Sequence, residues 1–124
     1  MLFYLKWISK FSLAFVAVVM LYLYSHTKAL EHAKRAVYEC SIGVINMPEE
    51  KIKASPDYSK KVTMLAIAYH NLAVEEDHCG NVSGAIDAYY KAYDILVRAN
   101  GPEDTLVKKF KKSYMDAKDV MIRI

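Results

Sequence analysis

The sequence predicts an all-α protein built from antiparallel helical hairpins with a C-terminal capping helix. The chain has 124 residues with only 4 Gly and 3 Pro, so few residues interrupt regular backbone. Apolar residues recur at spacings of three and four over much of the chain, which is the period of an amphipathic helix. Turn signals at Cys79-Gly80-Asn81 and Asn100-Gly101-Pro102 separate these stretches. A chain of this length is expected to form one domain.

The first region, residues 1–26, is predicted to be an apolar helix. Phe11 to Tyr24 carries no charge, and Lys6 and Lys10 precede it. A helix that is apolar on all sides is covered by lipid or by protein. A membrane anchor and a buried first helix therefore both stay open. A cleaved signal sequence is a third alternative, although no small-x-small cleavage site follows Tyr24.

Residues 27–124 are predicted to form one helical module. Thr27 to Ile45 is expected to be an amphipathic helix, because small apolar residues repeat along one face. Ser55-Pro56-Asp57 then offers an N-cap, a first-turn proline and an acidic residue, so a long helix is expected to begin there. The clearest hairpin is predicted at residues 59–100.

The last helix is predicted at residues 102–124. Pro102 and Glu103 suit the first turn of a helix, and Gly101 suits the end of the previous one. Apolar residues at alternating spacings of three and four form one stripe: Val107, Phe110, Tyr114, Ala117, Met121 and Ile124. We expect this stripe to cap the hairpin.

The segment Ala68 to Leu96 resembles a tetratricopeptide repeat. The matching residues are Tyr69, Leu72 and Ala73 in the first helix, Gly80 in the turn, and Ala85, Tyr89 and Ala92 in the second helix. The small residues let two helix backbones approach closely. The Asn-Gly-Pro-Glu sequence and the helix after it resemble the longer repeats of kinesin light chains and ciliary tetratricopeptide proteins. A weaker match would pair Leu13, Val16 and Ala17 with Ala29, Ala33 and Ala36 in an earlier hairpin.

The resemblance implies a short solenoid that acts as a non-enzymatic scaffold or adaptor. Because a stable solenoid generally needs three or more repeats, a partner protein in a larger assembly, self-association or a further stretch of chain is expected to complete the core. Family analogy places such a protein in the cytoplasm, at the cytoskeleton or the cilium. The alternative is a membrane-anchored adaptor that contacts the bilayer through Phe11 to Tyr24. The implied protein-binding groove consists of His70, Asn71, Val74, Asp77 and His78.

Charge and cysteine usage suggest few other partners. The net charge of +3 is too small to predict nucleic-acid binding. One basic face on the last helix is a candidate contact for an acidic partner or anionic lipid, formed by Lys108, Lys109, Lys111 and Lys112. Cys40 and Cys79 lack metal or redox spacing and are expected to be reduced thiols.

No catalytic residue, cofactor, metal ion or small-molecule substrate is predicted. His70 and His78 are two helical turns apart, roughly 12 Å, so they cannot bind one ion together. No phosphate-binding loop or hydrolase motif occurs in the sequence. Glu76 replaces the aromatic residue expected from the family and is predicted to pair with a lysine. Asn81-Val82-Ser83 is a glycosylation sequon that is also interpreted as an interhelix turn.

Overall fold

The computed structural model describes the backbone of residues 2–45 and 56–123 and the side chains of residues 12–44 and 57–123. This part of the chain forms four α-helices: α1 (Leu2–Ile45), α2 (Pro56–His78), α3 (Val82–Asn100) and α4 (Thr105–Arg123). Helix α1 packs on α2, α2 on α3, and α3 on α4. The all-α prediction is confirmed.

Helix α1 is a single helix of 44 residues, roughly 65 Å long at the usual helical rise. The earlier hairpin, which would need a turn between Ala17 and Ala29, is therefore a wrong prediction. Leu13 and Ala33 lie on the same unbroken helix, which contains no proline and no glycine before Gly43. The predicted division of the chain at residue 26 does not coincide with a helix end.

Helices α2 and α3 are joined by the short turn at residues 79–81. Helix α2 begins at Pro56 as the sequence predicts, whereas Ser55, the predicted N-cap, lies outside the described residues. Gly80 has a φ of 82°, a left-handed conformation that favours glycine. Asn81 then caps α3, because its side-chain oxygen accepts a hydrogen bond from the Gly84 backbone N–H at 3.1 Å.

Alanines bring α2 and α3 into close contact. Ala66 and Ala73 of α2 and Ala92 of α3 are all 0% exposed. The main core cluster consists of Ala66, Ala92, Leu96, Val107 and Phe110. On the other side of α2, the second half of α1 packs with Ala33 buried.

Helix α4 begins at Thr105, three positions after the predicted start at Pro102. The Asp104 carboxylate accepts hydrogen bonds from the backbone N–H groups of Leu106 at 2.9 Å and Val107 at 3.1 Å. An aspartate cap of this kind sets the first residue of a helix. The predicted stripe is covered less and less toward its end: Val107 and Phe110 are buried, Tyr114 and Ala117 are half-buried, and Met121 is 51% exposed. Ile124 lies outside the described residues.

Candidate functional site

The most unusual surface of the protein is the exposed apolar segment, Leu13 to Tyr24 of α1. Its large side chains are between 38% and 70% exposed: Leu13, Phe15, Val16, Val18, Val19, Met20, Leu21, Tyr22, Leu23 and Tyr24. Among the described residues, one helix, Ser12–Val44, is long and apolar enough to cross a membrane, and its most apolar window is not buried. The described residues of this chain therefore do not bury the segment, as the alternative of a buried first helix would require.

His26 marks the point where α1 begins to pack on α2. Its Nδ1 lies 3.4 Å from Oε2 of Glu75, and its ring stacks on that of His78 with 4.9 Å between centroids. The Cys79 thiol lies 3.8 Å from the His26 carbonyl oxygen. His26 is not among the predicted site residues, because it is 49 residues from Glu75 and no local pattern connects the two. The described residues contain no group of three side chains suited to hold a metal ion.

The five residues of the predicted binding groove occupy different environments. The His70 ring is half-buried, stacks on Phe110 at 4.7 Å and meets the edge of Tyr89 at 5.4 Å. His78 lies instead against α1. The other three, Asn71, Val74 and Asp77, are exposed or half-buried. The groove stays a prediction, but His70 is a packing residue as well as a candidate contact.

A cleft of about 300 Å³ lies between the hairpin and α4. Its lining residues are Asp77, Val82, Ala85, Tyr89, Ser113, Asp116, Ala117 and Val120. Burial raises the pKa of the Tyr89 hydroxyl, and the Asp77 carboxylate raises it further, so Tyr89 is a neutral group at physiological pH. The cleft thus combines an apolar floor with two carboxylates at its edge.

Acid is expected to destabilise the fold through His70. Burial lowers the pKa of His70 from its ordinary value of 6.5, and the Lys109 ammonium lowers it further. His70 therefore binds a proton more tightly in the unfolded chain than in the folded protein. The contribution of neutral His70 to the free energy of unfolding is complete above about pH 6.5 and is lost as the pH falls. We expect urea unfolding to give a smaller free energy below that pH than above it. His70→Phe, which keeps the ring stack, should weaken this pH dependence, and Lys109→Gln should weaken it less. An identical pH dependence in His70→Phe would contradict the assignment.

The residues that carry the resemblance lie mainly at the contact between α2 and α3. Ala73, Ala85 and Ala92 are buried, and Tyr69, Leu72 and Tyr89 are half-buried. Gly80 lies in the turn with a positive φ. These positions agree with a close helix contact, and their role as a repeat signature stays a prediction.

Glu76 is the one buried charged residue among the described side chains, at 8% exposed. Its Oε2 accepts a hydrogen bond of 2.8 Å from Nδ2 of Asn81, so the predicted pairing with a lysine is wrong. The helix ends at His78 and the chain turns back, which places Asn81 beside Glu76. Both ends of the Asn81 amide are thus engaged, the oxygen in capping α3 and the nitrogen in holding Glu76.

Asn81→Ala is expected to lower the free energy of unfolding by about 2 kcal/mol, from the lost helix cap and the unpaired buried carboxylate. Chemical unfolding of the purified protein would measure this loss. Ser83→Ala is the matched control, because it also removes the sequon while its exposed hydroxyl makes only a 3.4 Å contact with Asn81. Equal stability of the two variants would show that the Asn81 contacts contribute nothing.

The predicted basic face of α4 is exposed. Lys108, Lys109, Lys111 and Lys112 all lie on the surface, and Lys108 forms an ion pair with Glu103 at 3.2 Å. Cys40 and Cys79 are free thiols. The contact role of the four lysines stays a prediction.

Comparisons with known proteins identify no relative. No family model, curated protein or solved structure matches this chain.

Proposed function

We propose that the protein is a non-enzymatic interaction module of the tetratricopeptide type, held at a bilayer by the first half of α1. The observation that supports the anchor is the exposed apolar segment. It continues without a break into residues that pack on α2. One helix thus connects the apolar surface directly to the folded module.

Lipid is the cover that best fits this segment. Its apolar side chains point in all directions around α1, whereas a single partner helix would cover only one face. The rise from Leu2 to Tyr24 is roughly 33 Å, and a bilayer core is about 30 Å thick.

The boundary of the segment carries the residues typical of a membrane interface. Tyr22 and Tyr24 are more than half exposed, and the Lys28 ammonium lies 5.8 Å from the centre of the Tyr24 ring. Aromatic rings and lysines are enriched where a spanning helix leaves the hydrocarbon core. His26, which contacts Glu75 and His78, then starts the folded part immediately beyond this boundary.

Protein binding is the role proposed for the remaining helices. Support comes from the resemblance to tetratricopeptide repeats and from the close alanine contact between α2 and α3. The groove residues Asn71 and Asp77 expose polar groups, and Asp77 lines the cleft. Another protein of a larger assembly is expected to bind to these groove residues. Placement at the cytoskeleton or cilium rests on the resemblance alone.

The test is an alkaline-carbonate wash followed by flotation of membranes from cells that express the full chain. We expect the protein to float with lipid after the wash. Release into the soluble fraction would contradict the anchor and would favour a partner protein as the cover of the apolar segment.

A parallel experiment tests protein binding by α2–α4. A single cysteine is introduced as Asn71→Cys in a Cys40→Ser, Cys79→Ser background, and cross-linking through this cysteine should capture a protein partner.

A further inference from the structure

The last turn of α4 exposes three consecutive apolar side chains, here termed the apolar tip: Val120 at 55%, Met121 at 51% and Ile122 at 78%. Consecutive residues of a helix point in different directions, about 100° apart. One packed helix would therefore cover only part of this tip. A fluid lipid surface can surround all three side chains.

The order of the helices places the apolar tip at the same end of the module as the exposed apolar segment. Helix α2 ends beside His26, because Glu75 and His78 both contact that residue. Helix α3 returns toward the far end, and α4 comes back again. The cleft confirms this direction, since Val120 lies in it together with Asp77 and Val82, the residues that flank the turn.

The register between α2 and α4 sets the level that the tip reaches. His70 lies opposite Ser113, with 3.4 Å between Nε2 and Oγ. From this contact, His78 lies about 12 Å further along α2 and Ile122 about 13 Å further along α4. The apolar tip thus reaches the level of His78 and His26, and Tyr24 lies just beyond.

We propose that the apolar tip is a second contact with the same bilayer, so that the module lies against the lipid surface. This inference rests on the proposed anchoring by α1. Lys118 and Arg123 flank the tip, and Asp116 and Asp119 nearly balance their charge. Insertion of apolar side chains into the headgroup region therefore drives the contact, and zwitterionic lipid suffices for it.

The experiment uses a tryptophan as a probe of lipid contact in the full chain. The single native tryptophan is removed as Trp7→Phe, and Met121→Trp is added. The matched control carries Met64→Trp, at a position that is 60% exposed on α2 and about 21 Å further from the turn. Each protein is reconstituted into phosphatidylcholine vesicles, floated, and compared in ordinary and in brominated lipid. A second probe, Ile122→Trp, guards against a local effect of one substitution.

We expect all three proteins to float and the tip tryptophans alone to be quenched, losing at least about half of their emission if they enter the headgroup region. Flotation with unquenched tip tryptophans would overturn the lipid contact and leave the anchor standing. Equal quenching at Met64→Trp would also overturn it, because the contact would not be specific to the tip. Failure to float would overturn the anchor and the tip contact together.

Discussion

Ala92→Glu is expected to abolish the packing of the helical module. Ala92 is 0% exposed at the contact between α2 and α3, in one cluster with Ala66 and Leu96. A glutamate there either separates the two backbones or buries an unpaired carboxylate. Either effect is expected to cost more than about 4 kcal/mol, a large part of the stability of a small domain.

Hydrogen exchange across residues 62–96 is the suitable measurement, because α1 can stay helical in detergent after the module unfolds. The matched control is Ala99→Glu, the same substitution at an exposed position of α3. It should change stability by no more than about 0.5 kcal/mol. Protected amides in Ala92→Glu would show that the two helices do not meet at this alanine.

Local signals in the sequence predict much of this module. Gly80 and Gly101 mark two turns, and Pro56 marks the start of α2, because each has a backbone preference that acts over one or two residues. The alanines at the helix contact follow from spacing. The start of α4 also follows from a local signal, because Asp104 is a better N-cap than Gly101, the residue directly before Pro102.

Contacts between distant residues were not predictable in the same way. His26 meets Glu75 only because α1 runs unbroken and antiparallel to α2. The resemblance predicts an earlier hairpin with a turn between Ala17 and Ala29, whereas the absence of glycine and proline from residues 1–42 favours one long helix. The hydrogen-bond partner of Glu76 is Asn81, five residues later, whereas a lysine partner was predicted.

Val16→Lys is expected to weaken binding of the full chain to vesicles about 100-fold. Val16 is 52% exposed and lies about 12 Å along α1 from Tyr24, close to the centre of a spanning helix. A lysine near that depth costs about 3 kcal/mol of insertion free energy, which corresponds to this factor. Flotation over a range of lipid concentrations would measure the change.

The control for this prediction is Met64→Lys, which adds the same charge to an exposed position on α2. It should bind vesicles like the unchanged protein, and both variants should keep the hydrogen-exchange protection of α2 and α3. If Val16→Lys binds as tightly as the control, the segment does not enter the hydrocarbon core. If it instead loses a protein partner while its lipid binding is unchanged, that partner covers α1. The two results separate lipid from protein as the cover of this helix, because the substitution leaves the packed half of α1 intact.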